Sequence, residues 1–214
     1  MSNMYNEDFD FKEHLNYLID VTNSIDANKI TVLTGPNGYG KSLIRKLMPS
    51  HIADARGVEG NKQCTAAISM QQRTSNNSAW GALSSIMCDM GHNPTSLESY
   101  NLASRLTQKN LDGMYLIFDE PEVGMSEEGI LGWVEWFKKN FSDYKHGALI
   151  ITHSRIMVEQ LNGMSEFINL AGMTRHEFLT RKIEPIDFEK LSEFSHKLYL
   201  TVEDRIKQTK KKKK

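Results

Sequence analysis

Gly35, Gly40, Lys41 and Ser42 stand at the spacing G-x-x-x-x-G-K-S, directly after an apolar run from Ile30 to Leu33. That spelling fits a loop that wraps phosphate groups. Glycines let the backbone curl so that its N–H groups converge on phosphate oxygens, and the positive end of a helix starting near Lys41 points at the same place. Lys41 is predicted to reach the β- and γ-phosphates of a nucleotide as a point charge. The Ser42 hydroxyl would take one place in the shell of a magnesium ion. A glycine-rich turn with Lys41 in solvent is the plain alternative, and a second group of residues argues against it.

That group closes three further apolar runs. Tyr115 to Phe118 reads as a strand, and Asp119 and Glu120 follow at its C-terminal end, where open α/β sheets keep their ligands. Asp119 is placed to hold magnesium, directly or through water, and Glu120 to polarise an attacking water. Pro121 stops the strand. Residues 147–152, GALIIT, form another buried strand with His153 directly after it, in reach of a γ-phosphate and the water that attacks it. Residues 64–70, CTAAISM, run into Gln71 and Gln72, and a glutamine at a strand end can order a metal-bound or attacking water.

The elements that must position these groups follow from periodicity. Residues 12–25 place Leu15, Leu18, Ile19 and Val21 at helical spacing. Nearby Tyr5, Phe9, Phe11 and Tyr17 offer rings that either stack on an adenine or pack in the core. After the loop, SLIRKLM reads as a helix ended by Pro49. Residues 73–112 read as a small helical insertion, with Thr95 and Ser96 placed to cap its second helix. Residues 126–141 form an amphipathic helix with acids near its start and lysines near its end, as the helix dipole prefers. FINL, Phe167 to Leu170, is a further strand, and a short helix is predicted around residues 174–179. A final amphipathic helix over about residues 187–206 is predicted to pack on the sheet.

Composition bounds the rest. At 214 residues, 39% hydrophobic and 25% charged, the chain has room for one sizeable core, so residues 1–206 are predicted to form a single domain. No apolar run approaches the length of a membrane span and the N-terminus is polar, which predicts a soluble, cytoplasmic protein. Cys64 and Cys88 lie among apolar residues without a C-x-x-C pattern and read as reduced thiols. Residues 205–214 hold seven Lys or Arg and no acid, leaving 19 basic against 27 acidic groups, a net of −8, in residues 1–204. The end, residues 207–214, reads as a basic disordered tail able to contact nucleic acid, a partner protein or the acidic body of the chain.

Together the pieces from Ile30 to Asn169 resemble the ATP-binding-cassette superfamily of P-loop ATPases. GPNGYGKS, a glutamine after a strand, IFDEPE and ITHS stand in that family's order. The resemblance implies an α/β P-loop NTPase fold, a doubly wound or mixed sheet flanked by helices with a small helical insertion, and ATP and Mg²⁺ as ligands. It implies that ATP is held along Gly35, Pro36, Asn37, Gly38, Tyr39, Gly40, Lys41, Ser42 and Leu43, and the metal by Ser42, Asp119 and Gln71. Gln71, or Gln72 in its place, is then the Q-loop glutamine, Glu120 the catalytic glutamate and His153 the switch histidine, with the D-loop at Gly124 to Ser126.

The family closes two subunits head to tail around two ATP molecules, each site completed by a partner's LSGGQ-like signature. The best-placed counterpart is TSLES, Thr95 to Ser99, with Ser96 as γ-phosphate donor. Leu97 and Glu98 replace glycines there, so either the signature is degenerate, or Ser78 to Gly81 does that work, or hydrolysis is slow. The implied function is a soluble ATPase that forms an ATP-sandwiched homodimer and drives or regulates a partner protein or a DNA-associated process. The alternatives are the nucleotide-binding subunit of a membrane transporter, which the poor TSLES match disfavours, and an ATP-binding switch with little hydrolysis.

Overall fold

The computed structural model describes residues 9–58, 64–69 and 113–212. Five strands, β1 (Ile30–Thr34), β2 (Thr65–Ser69), β3 (Tyr115–Asp119), β4 (Ala148–Ile151) and β5 (Glu166–Asn169), form one sheet in the order β2-β3-β4-β1-β5. Every pairing among the described residues is parallel, in keeping with the doubly wound of the two expected forms. The local reason is connectivity. β1, β3 and β4 are each followed by a helix that carries the chain back before the next described strand begins, and such crossovers return strands in one direction. β1, β3 and β4 are buried at every residue, as expected of parallel strands covered on both faces.

Six helices are described: α1 (Phe11–Ser24), α2 (Lys41–Ala55), α3 (Glu127–Phe141), α4 (Arg155–Gln160), α5 (Arg175–Thr180) and α6 (Phe188–Lys212). Alternation along the strands divides the core in two. Val32, Phe118 and Ile150 face Trp133, Phe137 and Phe141 of α3 and Met157 of α4, whereas Leu33, Ile117, Leu149 and Ile151 face Leu18 of α1 and Ile44, Met48 and Ile52 of α2. No helix among the described residues is long and apolar enough to cross a membrane.

Two helices outrun their predicted ends. α2 continues through Pro49 to Ala55, although an internal proline costs about 3 kcal/mol. Tertiary contacts offset that cost. Met48 and Ile52 on either side of the proline are fully buried, and His51 Nε2 lies 2.8 Å from the Ile25 carbonyl. Beyond the helix end, the Arg56 guanidinium donates to the carbonyls of Gly113, Ala27 and His146.

α6 extends to Lys212, into the stretch predicted as a disordered tail, since lysines propagate a helix well and suit its C-terminal end. It also packs elsewhere than predicted. Its buried Phe194 meets Phe9, Phe11 and Tyr39, and Arg205 Nη1 donates to Asn16 Oδ1 of α1 at 2.6 Å, so the helix lies across α1 and the glycine loop instead of on the sheet. Phe9 and Phe11 are thereby engaged in packing, with centroids 4.8 and 5.1 Å from that of Phe194. Cys64 is a free, half-buried thiol at the start of β2. Tyr5, Cys88, the 73–112 insertion, Gln71, Gln72, the segment 78–81, and Thr95 to Ser99 with Ser96 lie outside the described residues.

Candidate nucleotide site

The sheet order brings the predicted groups to one edge. β4 lies between β3 and β1, and both Asp119 and Leu33 pair in register with Ile151. The glycine loop after β1, the acids at the end of β3 and His153 after β4 therefore leave the sheet at the same level.

The loop closes tightly before α2. Tyr39 N donates to the Pro36 carbonyl at 3.3 Å, and the Gly40 carbonyl accepts from Leu43 N at 2.9 Å and Ile44 N at 3.1 Å. Gly38 and Gly40 have φ of 75° and 98°, a region in which L side chains are strained. A side chain there would also force its neighbours to shift. A Cβ on Gly40 would sit 2.3 Å from Leu18 Cδ1, and one on Gly38 2.5 Å from Ser195 Oγ and 2.8 Å from Leu191 Cδ1. The loop is thus backed by α1 and α6. Gly40→Ala is expected to lower stability by about 2 kcal/mol, from backbone strain and the clash with buried Leu18, read as a fall in the chemical denaturation midpoint.

Lys41 folds back under this loop. It is buried, and Nζ donates to the carbonyls of Gly35 at 3.0 Å and Pro36 at 2.9 Å. Burial pushes its ammonium down to about 8, against the fields of Glu120, Asp119 and Glu122, which pull it back up. Those three carboxylates therefore act on the lysine across the sheet edge. Ser42 and Asn37 are exposed, Pro36, Gly38, Tyr39 and Leu43 half-buried, and Gly35 buried. Tyr39 stacks on Phe194 with centroids 5.7 Å apart, and its carbonyl lies 3.2 Å from His14 Nε2.

Asp119 is buried, and Arg45 Nε lies 3.3 Å from its Oδ2. That approach is an ion pair without hydrogen-bond alignment, since Arg45 Nε finds no bonded partner. Glu120 has φ of 51°, the one left-handed non-glycine among the described residues. Its N–H donates to the Ile151 carbonyl at 2.9 Å, and its Oε1 lies 3.3 Å from His153 Nε2. Glu122 Oε1 accepts from Thr152 Oγ1 at 2.6 Å and from His153 N at 2.7 Å. Gly124 has φ of 76° in the turn between β3 and α3, which Ser126 caps by accepting from Gly129 N at 3.3 Å.

Sequence reasoning gave no role to Arg45 or Glu122. Arg45 stands one helical turn beyond Lys41, so its spacing put it on the same face. Glu122 was visible as the last acid of DEPE, but its partners lie on another strand. The oxygen donors at the site, the Ser42 hydroxyl and the Asp119 carboxylate, suit Mg²⁺, which is commonly held by one or two protein ligands together with phosphates and water. No group of three His, Cys, Asp or Glu that would form an all-protein metal cage occurs among the described residues.

No family model and no curated protein matches the sequence. Among solved structures, the chain is similar to C. elegans PCH-2, with a TM-score of 0.38 and 14% identity, covering 79% of this chain and 42% of that one. It is also similar to the Aeropyrum pernix ORC2 protein in its ADPNP-ADP complexes, with a TM-score of 0.32 and 12% identity, covering 78% of this chain and 51% of that one. This chain thus spans about half or less of the length of each. The parallel sheet with β4 between β1 and β3, the glycine loop that opens α2, and the buried lysine under it together give the chain the α/β fold of P-loop NTPases.

Proposed function

We propose that the chain is an ATP-binding-cassette type ATPase that binds Mg-ATP and hydrolyses it. The observation that carries this reading is buried Lys41 in the glycine loop, within the field of Asp119, Glu120 and Glu122, with His153 on Glu120. A buried ammonium among loop carbonyls is costly and finds its natural counterpart in phosphate oxygens. Ser42 and Asp119, with Gln71, would hold magnesium, which would supply charge neutralisation on the phosphates.

Lys41 leaves the Gly35 and Pro36 carbonyls to bond the β- and γ-phosphates, and the amides of the glycine loop and of the first turn of α2 surround them. Glu120 receives the proton of the attacking water as its oxygen bonds to the γ-phosphorus, while the bond to the bridging oxygen breaks and ADP leaves. His153 orients Glu120 and the γ-phosphate. Two copies close head to tail over ATP, with Ser96 of TSLES completing the site, and hydrolysis releases them. The lysine-rich end of α6 offers a contact for a partner protein or nucleic acid, on which this cytoplasmic ATPase acts.

The test is turnover of ATP with Mg²⁺ together with the mass of the protein in solution, with and without nucleotide. Hydrolysis and a shift from monomer to dimer on adding ATP are expected. A chain that neither binds nor hydrolyses ATP overturns the ATPase reading. One that stays monomeric with ATP bound overturns only the homodimer, and the completing residues then come from another protein.

A further inference from the structure

Glu122 stands apart from the groups assigned above, yet it ties the two strand ends that carry them. Its Oε1 accepts two bonds from the segment after β4, at 2.6 Å from Thr152 Oγ1 and 2.7 Å from His153 N, while Oε2 is buried without a partner. Thr152 Oγ1 in turn accepts from Ser154 N at 2.9 Å, so the acid organises three consecutive residues. The same turn is pinned a second time where Glu120 N donates to Ile151 O at 2.9 Å, and a third time where Glu120 Oε1 meets His153 Nε2 at 3.3 Å. Residues 120–122 and 151–153 therefore close a ring of polar contacts in which each strand end fixes the other.

Glu120 sits at φ 51°, a strained conformation that persists only where surroundings over-determine it. Thr152 is fully buried, whereas His153 is exposed and lies just past the last residue of β4, where sheet pairing no longer holds the backbone. The bond from the His153 N–H to Glu122 Oε1 holds the backbone at that point and with it the height of the imidazole above Glu120.

We infer that Glu122 is a positioning residue for hydrolysis: by accepting from Thr152 and His153 it sets the imidazole against Glu120 and keeps Glu120 in its strained conformation. This role rests on the ATPase reading above and deepens it. A one-ångström misplacement of a catalytic group costs about 10²-fold in rate, so a loosened His153 is felt in kcat while phosphate binding at Lys41 is not.

The experiment compares wild type, E122A and E122Q in kcat, in KM for ATP, and in hydrogen exchange of the His153 amide. E122A is expected to lose about 10- to 100-fold in kcat with KM within about threefold, and to lose exchange protection at His153. E122Q keeps an acceptor oxygen and is expected to retain protection and most of kcat. The effect of E122A should vanish in an H153A background, which a general loss of stability would not do. If E122A does not fold, E122D, with its arm shortened by one methylene, carries the same expectation for kcat and exchange. E122Q as slow as E122A overturns the role, since the charge and not the acceptor then matters. An active wild type with an equally active E122A overturns it as well. A wild type that binds ATP without turning it over removes the hydrolytic reading itself.

Discussion

Lys41→Met should make the nucleotide-free protein more stable and nearly abolish its affinity for ATP. Both effects come from one ammonium. In the free protein it is buried under the loop, with burial holding it at about 8 against an ordinary 10.5, so carrying the charge costs stability. The sign follows from proton counts. Between pH 8 and 10.5 the unfolded chain binds the proton and the folded chain does not, so stability rises with pH across that window, and the full penalty is present below it. At neutral pH the penalty is of the order of 3 kcal/mol. Methionine removes it, but leaves the Gly35 and Pro36 carbonyls without their donor, which returns about 1–2 kcal/mol. A net gain of about 1–2 kcal/mol is expected near pH 7, shrinking toward pH 10, read as the difference in urea midpoints. Binding moves the other way. Hydrogen bonds from a charged donor contribute about 1.5–3 kcal/mol each, so losing those to two phosphates weakens ATP by about 10²-fold or more in calorimetry. For the wild type, phosphates favour the charged lysine, so affinity falls above pH 8 by up to about tenfold per pH unit, a slope that Lys41→Met lacks. Equal stability of the two proteins at pH 7 would show that the lysine is not held as a buried charge.

What was legible in the sequence was local. Gly40 could be read because its demand is set by its own backbone, whose φ of 98° suits glycine whatever packs nearby. Strand ends at Asp119 and His153 were legible because a short apolar run followed by a polar residue is a statement about one strand. The rest depended on partners far away in the chain. Pro49 ought to end α2 by its own chemistry, and only the carbonyls of Gly113, Ala27 and His146 around Arg56, with buried Ile52, show why the helix persists. The choice between a doubly wound and a mixed sheet was not local either, since it rests on crossovers, which run one way among the described residues. α6 was correctly seen as amphipathic, but a stripe does not name its partner, and Phe194 chose Tyr39 over the sheet. Glu122 and Arg45 act through space on other elements, so no spacing rule reached them.

Glu120→Gln should lower ATP turnover by about 10²- to 10⁴-fold, the range that a positioned general base contributes, while leaving ATP affinity equal or tighter. The amide keeps the length and shape that the turn accommodates at φ 51°, and its N–H still donates to Ile151 O, so the fold should be preserved. What disappears is the proton acceptor. The amide oxygen still accepts from His153 Nε2, now 3.3 Å from Glu120 Oε1, so the histidine stays oriented against a group that cannot take a proton from water. Removing this negative charge also eases the approach of a γ-phosphate, because Glu120 is the foremost of the acids acting on Lys41. Bound ATP should then persist, and the variant should accumulate whatever assembly ATP favours, read as a doubled mass in solution with Mg²⁺. A single-turnover measurement separates the chemical step from product release. Turnover unchanged by Glu120→Gln would remove this carboxylate from the mechanism, and the base would then have to be sought among the remaining acids of the edge. A fall in turnover with no ATP retained would instead place Glu120 in binding, through its contact with His153, and shift the catalytic assignment to the histidine.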